Sequence, residues 1–301
     1  MKSRIPFYLI LLTSLAFTLS ACSSSEDNPK DDTVKANCTI SFKYDKNMIG
    51  VDEFAKEVSS VAVWAFDKSG KLTWSHTENA QKAFSNDFSV EATLPVGEYD
   101  FVTWCGLTSD MPLLPTLTPS SISQLTLSLP IASNVCDAEL PAIFNASAQN
   151  VKINEDVDNK LALSLTKVTK DLSIMLQDMN RGVNAEDFDI RITDCTNSME
   201  WNLTPKTTAS FDYLPYSVEG ESADDGADMT VSVLTASFST LRFTTDSKAT
   251  LVITRNNDEV LRIPVVEYIL TAKPYEADEW SDQEYLDNQS YYRLMFFLND
   301  K

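Results

Sequence analysis

Histidine and glycine are scarce in this chain of 301 residues, which has one histidine and seven glycines. A Ser-His-Asp or Cys-His nucleophile system, like most zinc sites, would have to use His76. Nothing around His76 resembles a nucleophile elbow, and we expect an exposed residue at the end of a strand. The chain also lacks a glycine-rich phosphate loop and a dinucleotide-binding fingerprint. We predict no enzyme, no metal site and no cofactor, although paired carboxylates are too common here to argue for or against a glycosidase.

Positive charge is scarce as well, with 24 lysines and arginines against 44 aspartates and glutamates and a net charge of -20 at pH 7. Such a surface repels phosphate backbones and anionic lipid, so nucleic acid is not an expected partner. Attachment to a membrane would need acyl chains, and stable anchoring needs more than one. Two acidic loops, residues 154–159 and 224–228, do not have the spacing of a calcium-binding EF-hand loop, and we expect solvated turns there.

The first 22 residues have the pattern of a lipoprotein signal peptide. Lys2 and Arg4 form a positive n-region, and residues 5–17 form an apolar h-region too short to span a membrane as a mature helix. Residues 19–22 read LSAC, which resembles the bacterial lipobox, although a secretory signal can end in these residues by chance. The resemblance implies cleavage between Ala21 and Cys22 and acylation of Cys22. We predict that residues 1–21 are removed and that Cys22 is the membrane tether.

Residues 22–36 are predicted to be a lipid-anchored flexible tether, because they contain no large apolar residue before Val34. The acidic residues soon after Cys22 also resemble the signal that sends some lipoproteins to the outer cell surface, and a plain spacer explains them equally well. We expect an outer-membrane protein that is exposed at the cell surface. The sequence does not specify whether its lipid lies in the inner or the outer leaflet.

Four cysteines remain after Cys22, and no two of them have the spacing of metal ligands: Cys38, Cys105, Cys136 and Cys195. Export permits disulfides, and four cysteines allow three pairings. Cys105 and Cys136 are the pair that we most expect to share a domain, but buried free thiols explain the sequence equally well.

From residue 37 onward the apolar residues mostly alternate with polar ones, which is typical of half-buried strands. This alternation occurs around residues 125–129, 161–165, 172–176 and 188–192. More deeply buried strands are predicted at 61–66, 101–104, 231–234 and 251–253. Helical signal is weak, and two short helices are predicted, at residues 52–58 and at 281–286, where Ser281 and Glu284 form a capping box. Many short strands with few helices predict an all-β chain of β-sandwiches.

The polar stretch at residues 145–159 interrupts the alternation and is the predicted domain boundary. It gives an N-terminal sandwich over residues 37–150 and a C-terminal sandwich over 151–301, each of ordinary domain size.

Residues 94–104 read LPVGEYDFVTW, which resembles the turn that leads into a central strand of transthyretin-like sandwiches. In this interpretation Pro95 fixes φ for the turn, Gly97 permits a positive φ, and Tyr99 begins the buried strand.

Further stretches extend the resemblance over nearly all of the mature chain, and the closing segment is the most specific. They read SFKYD at 41–45, DEFA at 52–55, VAVWAFD at 61–67, RIP at 262–264, YIL at 268–270, SDQEYLD at 281–287 and YYRLMFFL at 291–298. With the lipobox, this order resembles the FimB-type fimbrial anchor lipoproteins, fimbrillin-type pilus subunits of Bacteroidota. The resemblance implies two tandem transthyretin-like β-sandwiches joined to other subunits by donor-strand exchange, a form of β-augmentation.

Two features favour a fixed anchor that binds a fimbrial stalk subunit. Stalk subunits of the family are trimmed by an arginine-specific protease, and this chain has no arginine between Arg4 and Arg181. The sequence also stops at Lys301, so we expect no donor tail if residues 291–298 form the last strand; the alternative is that these residues are the donor. Other possibilities are a tip or accessory fimbrial adhesin, and a glycan-binding lipoprotein that stacks sugars on three tryptophans: Trp74, Trp201 and Trp280.

Overall fold

Strands make up most of the fold, in agreement with the predicted all-β class. The computed structural model describes residues 33–108, 113–129, 134–178, 183–206, 210–224 and 230–298. Its strands are β1 (Lys35–Lys43), β2 (Ser60–Asp67), β3 (Leu72–Asn79), β4 (Ser89–Pro95), β5 (Gly97–Cys105), β6 (Leu127–Ser128), β7 (Val135–Cys136), β8 (Phe144–Ile153), β9 (Asn159–Ser164), β10 (Thr166–Lys167), β11 (Thr169–Asp178), β12 (Phe188–Thr193), β13 (Ser198–Met199), β14 (Asp212–Tyr213), β15 (Ser217–Asp224), β16 (Thr230–Leu241), β17 (Thr250–Arg255), β18 (Asp258–Pro264) and β19 (Tyr291–Leu298). The helices are α1 (Phe54–Glu57), α2 (Val265–Thr271) and α3 (Asp282–Asn288), with 3-10 turns at Ile122–Gln124, Ala185–Asp187 and Tyr275–Ala277.

Two sheets built from the first half of the chain enclose one hydrophobic core. One has the strand order β4-β1-β9 and the other β10-β8-β5-β2-β3. Ile40 and Phe42 of β1 lie in this core with Val63 of β2 and Phe101 of β5, all buried. The alternation of apolar residues in β1 and β4 follows from the period of two, which places every second side chain on the core face.

Two further sheets contain most of the second half, with strand orders β15-β16-β11-β19 and β18-β17-β12-β14-β7. The predicted alternation at residues 172–176 and 188–192 is confirmed, since Leu172, Ile174, Ile190 and Ile192 are all buried in one core. Both groups of sheets belong to a single compact unit, Val34–Lys301. No helix among the residues described above is long and apolar enough to cross a membrane.

The sheet containing β2 and β5 is buried on both faces, which explains the continuous apolar runs predicted at 61–66 and 101–104. Trp64 and Trp104 point away from the first core and into the second. Their indole N–H groups donate hydrogen bonds to Leu117 O at 2.9 Å and to Leu125 O at 3.0 Å. The leucines of residues 125–129 are buried as predicted, but only Leu127–Ser128 forms a strand there.

The predicted boundary at residue 150 falls inside β8, which pairs with β5 along most of its length. β9 then pairs in parallel with β1, so it too belongs to the first group of sheets. The polar residues at 145–153 form a strand because pairing with β5 satisfies their backbone groups. Apart from β7, which pairs with β14 of the second group, the strands pass to that group after β10, near Val168, and not at residue 150.

Both predicted helices are present, although short. α3 begins after Ser281, whose hydroxyl accepts a hydrogen bond from Glu284 N at 3.2 Å, while the Glu284 carboxylate accepts from Ser281 N at 2.7 Å. The predicted capping box is thus confirmed. α1 covers the middle of the predicted segment, and the carboxylate of Asp52 accepts a hydrogen bond from Phe54 N at 3.0 Å.

Candidate functional site: the first strand and the edge of the last strand

The predicted lipidation and cleavage residues, Cys22 and Ala21, lie outside the described residues. Of the predicted tether, only residues 33–36 are among the described residues, and Val34 is exposed. β1 begins at Lys35, so its first two residues overlap the predicted tether of residues 22–36.

β1 is the central strand of its sheet. It pairs antiparallel with β4 from Lys35 to Ser41 and parallel with β9 from Cys38 to Lys43. The Asn159 side-chain amide adds a hydrogen bond to Asn37 O at 3.0 Å. Because both edges of β1 are paired and alternate side chains are in the core, the segment that follows the tether is an integral part of the fold.

Pro95 ends β4 and Gly97 begins β5, with Val96 between the two strands. Tyr99 is buried and its hydroxyl donates a hydrogen bond to Pro95 O at 2.8 Å. The expectation of a positive φ at Gly97 is wrong, because the glycines with positive φ in the described part of the chain are Gly50, Gly70 and Gly106. Gly97 is the first residue of β5 and has the extended backbone of a strand, so it needs no left-handed conformation.

Among the described strands, β19 lies at the edge of its sheet and pairs with β11 alone. The two strands are parallel and remain in register from Tyr291 opposite Asp171 to Leu298 opposite Asp178. Leu294 and its inward neighbours are buried in the core, whereas Met295 and Phe297 on the other face are 42% and 61% exposed. Residues 291–298 are therefore the last strand of the sheet, as the anchor interpretation expected.

A buried polar cluster fixes the point where β19 starts. Lys170 of β11 is fully buried, and its ammonium donates hydrogen bonds to Asp287 O at 2.7 Å and Gln289 O at 2.8 Å. Arg242 donates two hydrogen bonds to the Asp287 carboxylate, at 2.5 and 3.0 Å. These bonds hold the end of α3 and the residues before β19 against the sheet.

The sequence interpretation missed this cluster, although a signal was present. Lys170 is in phase with the inward-facing Leu172 and Ile174, so the period of two places a lysine on the apolar face. A lysine in that position needs acceptors inside the protein, and the carbonyl groups before β19 provide them.

Burial lowers the pKa of Lys170 to about 7, and the nearby Arg242 guanidinium adds to this, while Asp287 opposes it. A lysine in the unfolded chain has a pKa near 10.4. Between these two values the unfolded state binds the proton and the folded state does not. The free energy of unfolding should therefore rise with pH across this window, by about 1.4 kcal/mol per unit at most.

We expect Lys170→Gln to remove this dependence, because glutamine keeps a donor for the carbonyl groups without a titratable amine. The free energy of unfolding is measured by urea unfolding at pH 7.5 and pH 9 for the wild type and the variant. The change between the two pH values should be larger in the wild type. Equal pH slopes for the two proteins would contradict the assignment.

His76 lies within β3, not at its end, and its side chain is 37% exposed. Its ring lies nearly parallel to that of Trp74, with centroids 6.2 Å apart, and its Nε2 is 3.2 Å from the Glu78 carboxylate. Trp201 and Trp280 are partly buried against the second core. In the described part of the chain, the side-chain partner of His76 is Glu78 and not a serine or cysteine.

The four cysteines are free thiols; three are buried and Cys136 is partly exposed. Burial raises the pKa of all four, that of Cys105 to about 12, which disfavours the nucleophilic thiolate. Among the described residues, no three His, Cys, Asp or Glu side chains come together as a metal-binding group. Residues 154–159 form a turn in which Asn159 donates to Asn154 O, whereas most of 224–228 lies outside the described residues.

Three solved structures resemble this fold over most of the chain. A candidate polysaccharide-binding protein of Bacteroides thetaiotaomicron is 27% identical, with 88% of this chain and 92% of that chain covered and a TM-score of 0.75. A candidate adhesin of the same organism is 22% identical, with 89% and 93% covered and a TM-score of 0.75. The fimbrial anchor protein Mfa2 of Porphyromonas gingivalis is 17% identical, with 88% and 91% covered and a TM-score of 0.67. The second and third likenesses are evidence of fold alone.

No curated protein sequence matches the chain. The sequence profile of one family, described as Fimbrillin-A associated anchor proteins Mfa1 and Mfa2, matches residues 23–301. This match begins directly after Cys22 and confirms the resemblance to fimbrial anchor proteins drawn from the sequence motifs. The chain therefore belongs to the family of Fimbrillin-A associated anchor proteins, a fimbria-associated family of structural proteins of the cell envelope.

Proposed function

We propose that this protein anchors a fimbria to the outer membrane at the cell surface. Acylated Cys22 holds the chain in the membrane, and the folded part binds the first fimbrial stalk subunit by donor-strand-type β-augmentation. Family membership supports a fimbrial partner. In β-augmentation, main-chain hydrogen bonds supply affinity and alternate side chains supply specificity.

The position of β1 is the observation that carries this proposal. The tether enters the fold as a strand that is paired on both sides, with β4 and with β9. A pull on the tether acts on β1, and the hydrogen bonds on both edges of this strand resist its removal. Cys38, Ile40 and Phe42 would also have to leave the core before β1 could slide out.

The distribution of arginine supports a lipid that stays attached. No arginine occurs between Arg4 and Arg181, so an arginine-specific protease has no site at which to separate β1 from Cys22. A cut at Arg181 would fall after β11 and leave β1 connected to the tether. This favours a fixed anchor over a subunit whose first strand is removed.

Mass spectrometry of the mature N-terminus, from surface-exposed membrane fractions, tests the proposal. We expect a chain that begins at acylated Cys22 and continues unbroken through residues 23–35. The physical reason is that neither the tether nor β1 offers an arginine to the protease. A chain that begins downstream of the tether, without lipid, would instead identify a stalk or tip subunit.

Glycan binding is the second candidate function. The candidate polysaccharide-binding protein of Bacteroides thetaiotaomicron favours it, and so does the partly exposed Trp74, whose ring lies nearly parallel to that of His76. Aromatic faces of this kind stack on the apolar faces of sugar rings. Binding to a glycan array that is lost in Trp74→Ala would support this function over the anchor.

A further inference from the structure

The groove that a partner strand would enter at β1 is already filled. β1 occupies the centre of its sheet, between β4 and β9, and the chain has no arginine before Arg181 through which it could be cut away. If a fimbrial subunit binds by adding a strand, the strand must add to an existing open edge. The question is which edge accepts it, and the argument rests on the proposed anchor function.

Most of the edge strands in the described part of the chain carry features that discourage pairing. β7 and β10 are two residues long. β18 has a bulge at Val260, which has no partner on β17, and it ends at Pro264. The remaining long edge strands, and β18 as well, present polar or charged side chains: Thr73, Ser75 and Thr77 on β3; Ser89, Glu91 and Thr93 on β4; Lys160 on β9; Glu219 on β15; and Asp258, Glu259 and Arg262 on β18.

β19 has only one of these features, the charged side chain of Arg293. It is eight residues long, has no bulge and contains neither proline nor glycine. Its outward-facing residues are Tyr291, Arg293, Met295 and Phe297, of which three are large, apolar or aromatic and 42–61% exposed. Met175 of β11 lies opposite Met295 and extends the apolar surface.

The backbone of β19 is also open on its outer side. Within the described residues, its strand pairing is to β11 alone, and no backbone–backbone hydrogen bond from a turn or loop reaches it. Gln289 caps the first carbonyl, with its side-chain amide 2.6 Å from Tyr291 O. The cluster of Lys170, Arg242 and Asp287 holds the start of the strand, so the edge is rigid as well as exposed.

We propose that the open edge of β19 is the acceptor site for an extended strand of the fimbrial stalk subunit. The added strand pairs with the outward N–H and C=O groups of β19 beyond the Tyr291 carbonyl, which Gln289 caps. Its alternate apolar side chains lie beside Met295 and Phe297. The groove around β1 stays closed throughout.

Charge distinguishes this occupant from a second copy of the chain. Each copy carries a net charge of -20, so pairing two β19 edges brings two strongly acidic bodies together. The one charged side chain on the outward face of β19 is Arg293, and it stacks over Tyr291. A neutral or mildly acidic partner strand meets no like charge at this edge.

The test adds lysines to the outward face of β19, where they point to solvent in the free protein. The double variant Met295→Lys/Phe297→Lys is compared with the matched control Val218→Lys/Val260→Lys, which adds the same charge to exposed positions of β15 and β18. Fimbriae sheared and purified from the cells that make this protein are fixed on a sensor surface, and binding of each full mature chain is measured. Thermal unfolding checks that both variants fold.

We expect binding to fall at least tenfold in Met295→Lys/Phe297→Lys and to stay within twofold of wild type in the control. Hydrogen exchange of the wild type should slow at least tenfold for the outward amides of residues 291–298 when fimbriae are bound. This second readout separates strand addition from a loose apolar contact, which would leave those amides exchanging freely.

Undiminished binding by Met295→Lys/Phe297→Lys, with protection elsewhere, would overturn the β19 site and leave the anchor function standing. A wild-type dimer in sedimentation that the same variant converts to monomer would also overturn it, by assigning the edge to a second copy. Two results together would overturn both the site and the proposed function. The wild-type protein would bind no fimbriae, and fibres would stay on cells that carry Cys22→Ala.

Discussion

A Cys22→Ala variant should be lost from the outer membrane and should release fimbriae into the medium. Without the thiol the predicted lipid has no sulfur to which it can be attached, and the mature chain has no other predicted membrane anchor. Each buried CH₂ of an acyl chain contributes about 0.8 kcal/mol, so the two or more chains of a lipoprotein hold it far more firmly than an acidic protein surface can. We expect cell-bound fibres to fall at least tenfold.

The measurement is a comparison of fimbriae on cells and in the medium, by electron microscopy and quantitative blotting. Cys136→Ala is a matched control, because Cys136 is the most exposed of the described cysteines and lies in the two-residue strand β7. Fibres that remain on the cells in Cys22→Ala would argue strongly against the anchor role. Fibres shed equally by both variants would point to a folding defect instead.

The strands that sequence could predict are those whose pattern is local. In β11 and β12 the alternating apolar residues Leu172, Ile174, Leu176, Ile190 and Ile192 all lie on the buried core face. The capping box of Ser281 and Glu284 is likewise complete within four residues. β8 was missed because its polar residues are stabilised by pairing with β5, some forty residues earlier in the chain. Such non-local hydrogen bonds leave no periodic signal in the segment itself.

The candidate site was predictable only in part, for the same reason. The closing apolar run was identified as a strand. Nothing within residues 291–298 specifies that, among the described strands, β11 pairs with one edge and no strand pairs with the other. The position of β1 depends on β9, with Cys38 opposite Asn159, and this parallel register cannot be read from either strand alone. Lys170 is the exception, since its place on an apolar face is visible in the sequence.

Glycine illustrates the difference between a motif and its environment. The motif drew attention to Gly97, which has ordinary strand backbone. The position that requires glycine is Gly106, which has a φ of +79° just after β5. A β-carbon at Gly106 would lie 1.9 Å from Ala142 O and 3.0 Å from the Ala142 carbonyl carbon. No contact that close is tolerated, so backbone must move.

The backbone around Ala142 is poorly able to move. Pro141 O accepts a hydrogen bond from the Thr169 hydroxyl at 2.9 Å, and Ile143 N donates to the same hydroxyl at 3.1 Å. Ile143 O accepts from Val168 N at 2.7 Å. The segment is thus held on both sides of the clash, at the point where the chain connects its two groups of sheets.

Gly106→Ala should therefore lower the free energy of unfolding by about 2–6 kcal/mol, the sum of left-handed strain and overpacking. In a protein of this size that corresponds to a fall in Tm on the order of 10 °C, measurable by circular dichroism. Gly97→Ala is the control, because its β-carbon would lie 3.5 Å from the Tyr99 ring at ordinary φ, and we expect a change within about 1 kcal/mol. A Gly106→Ala variant as stable as Gly97→Ala would mean that Gly106 does not lie so close to Ala142. The packing of the end of β5 against the segment before β8 would then be wrong.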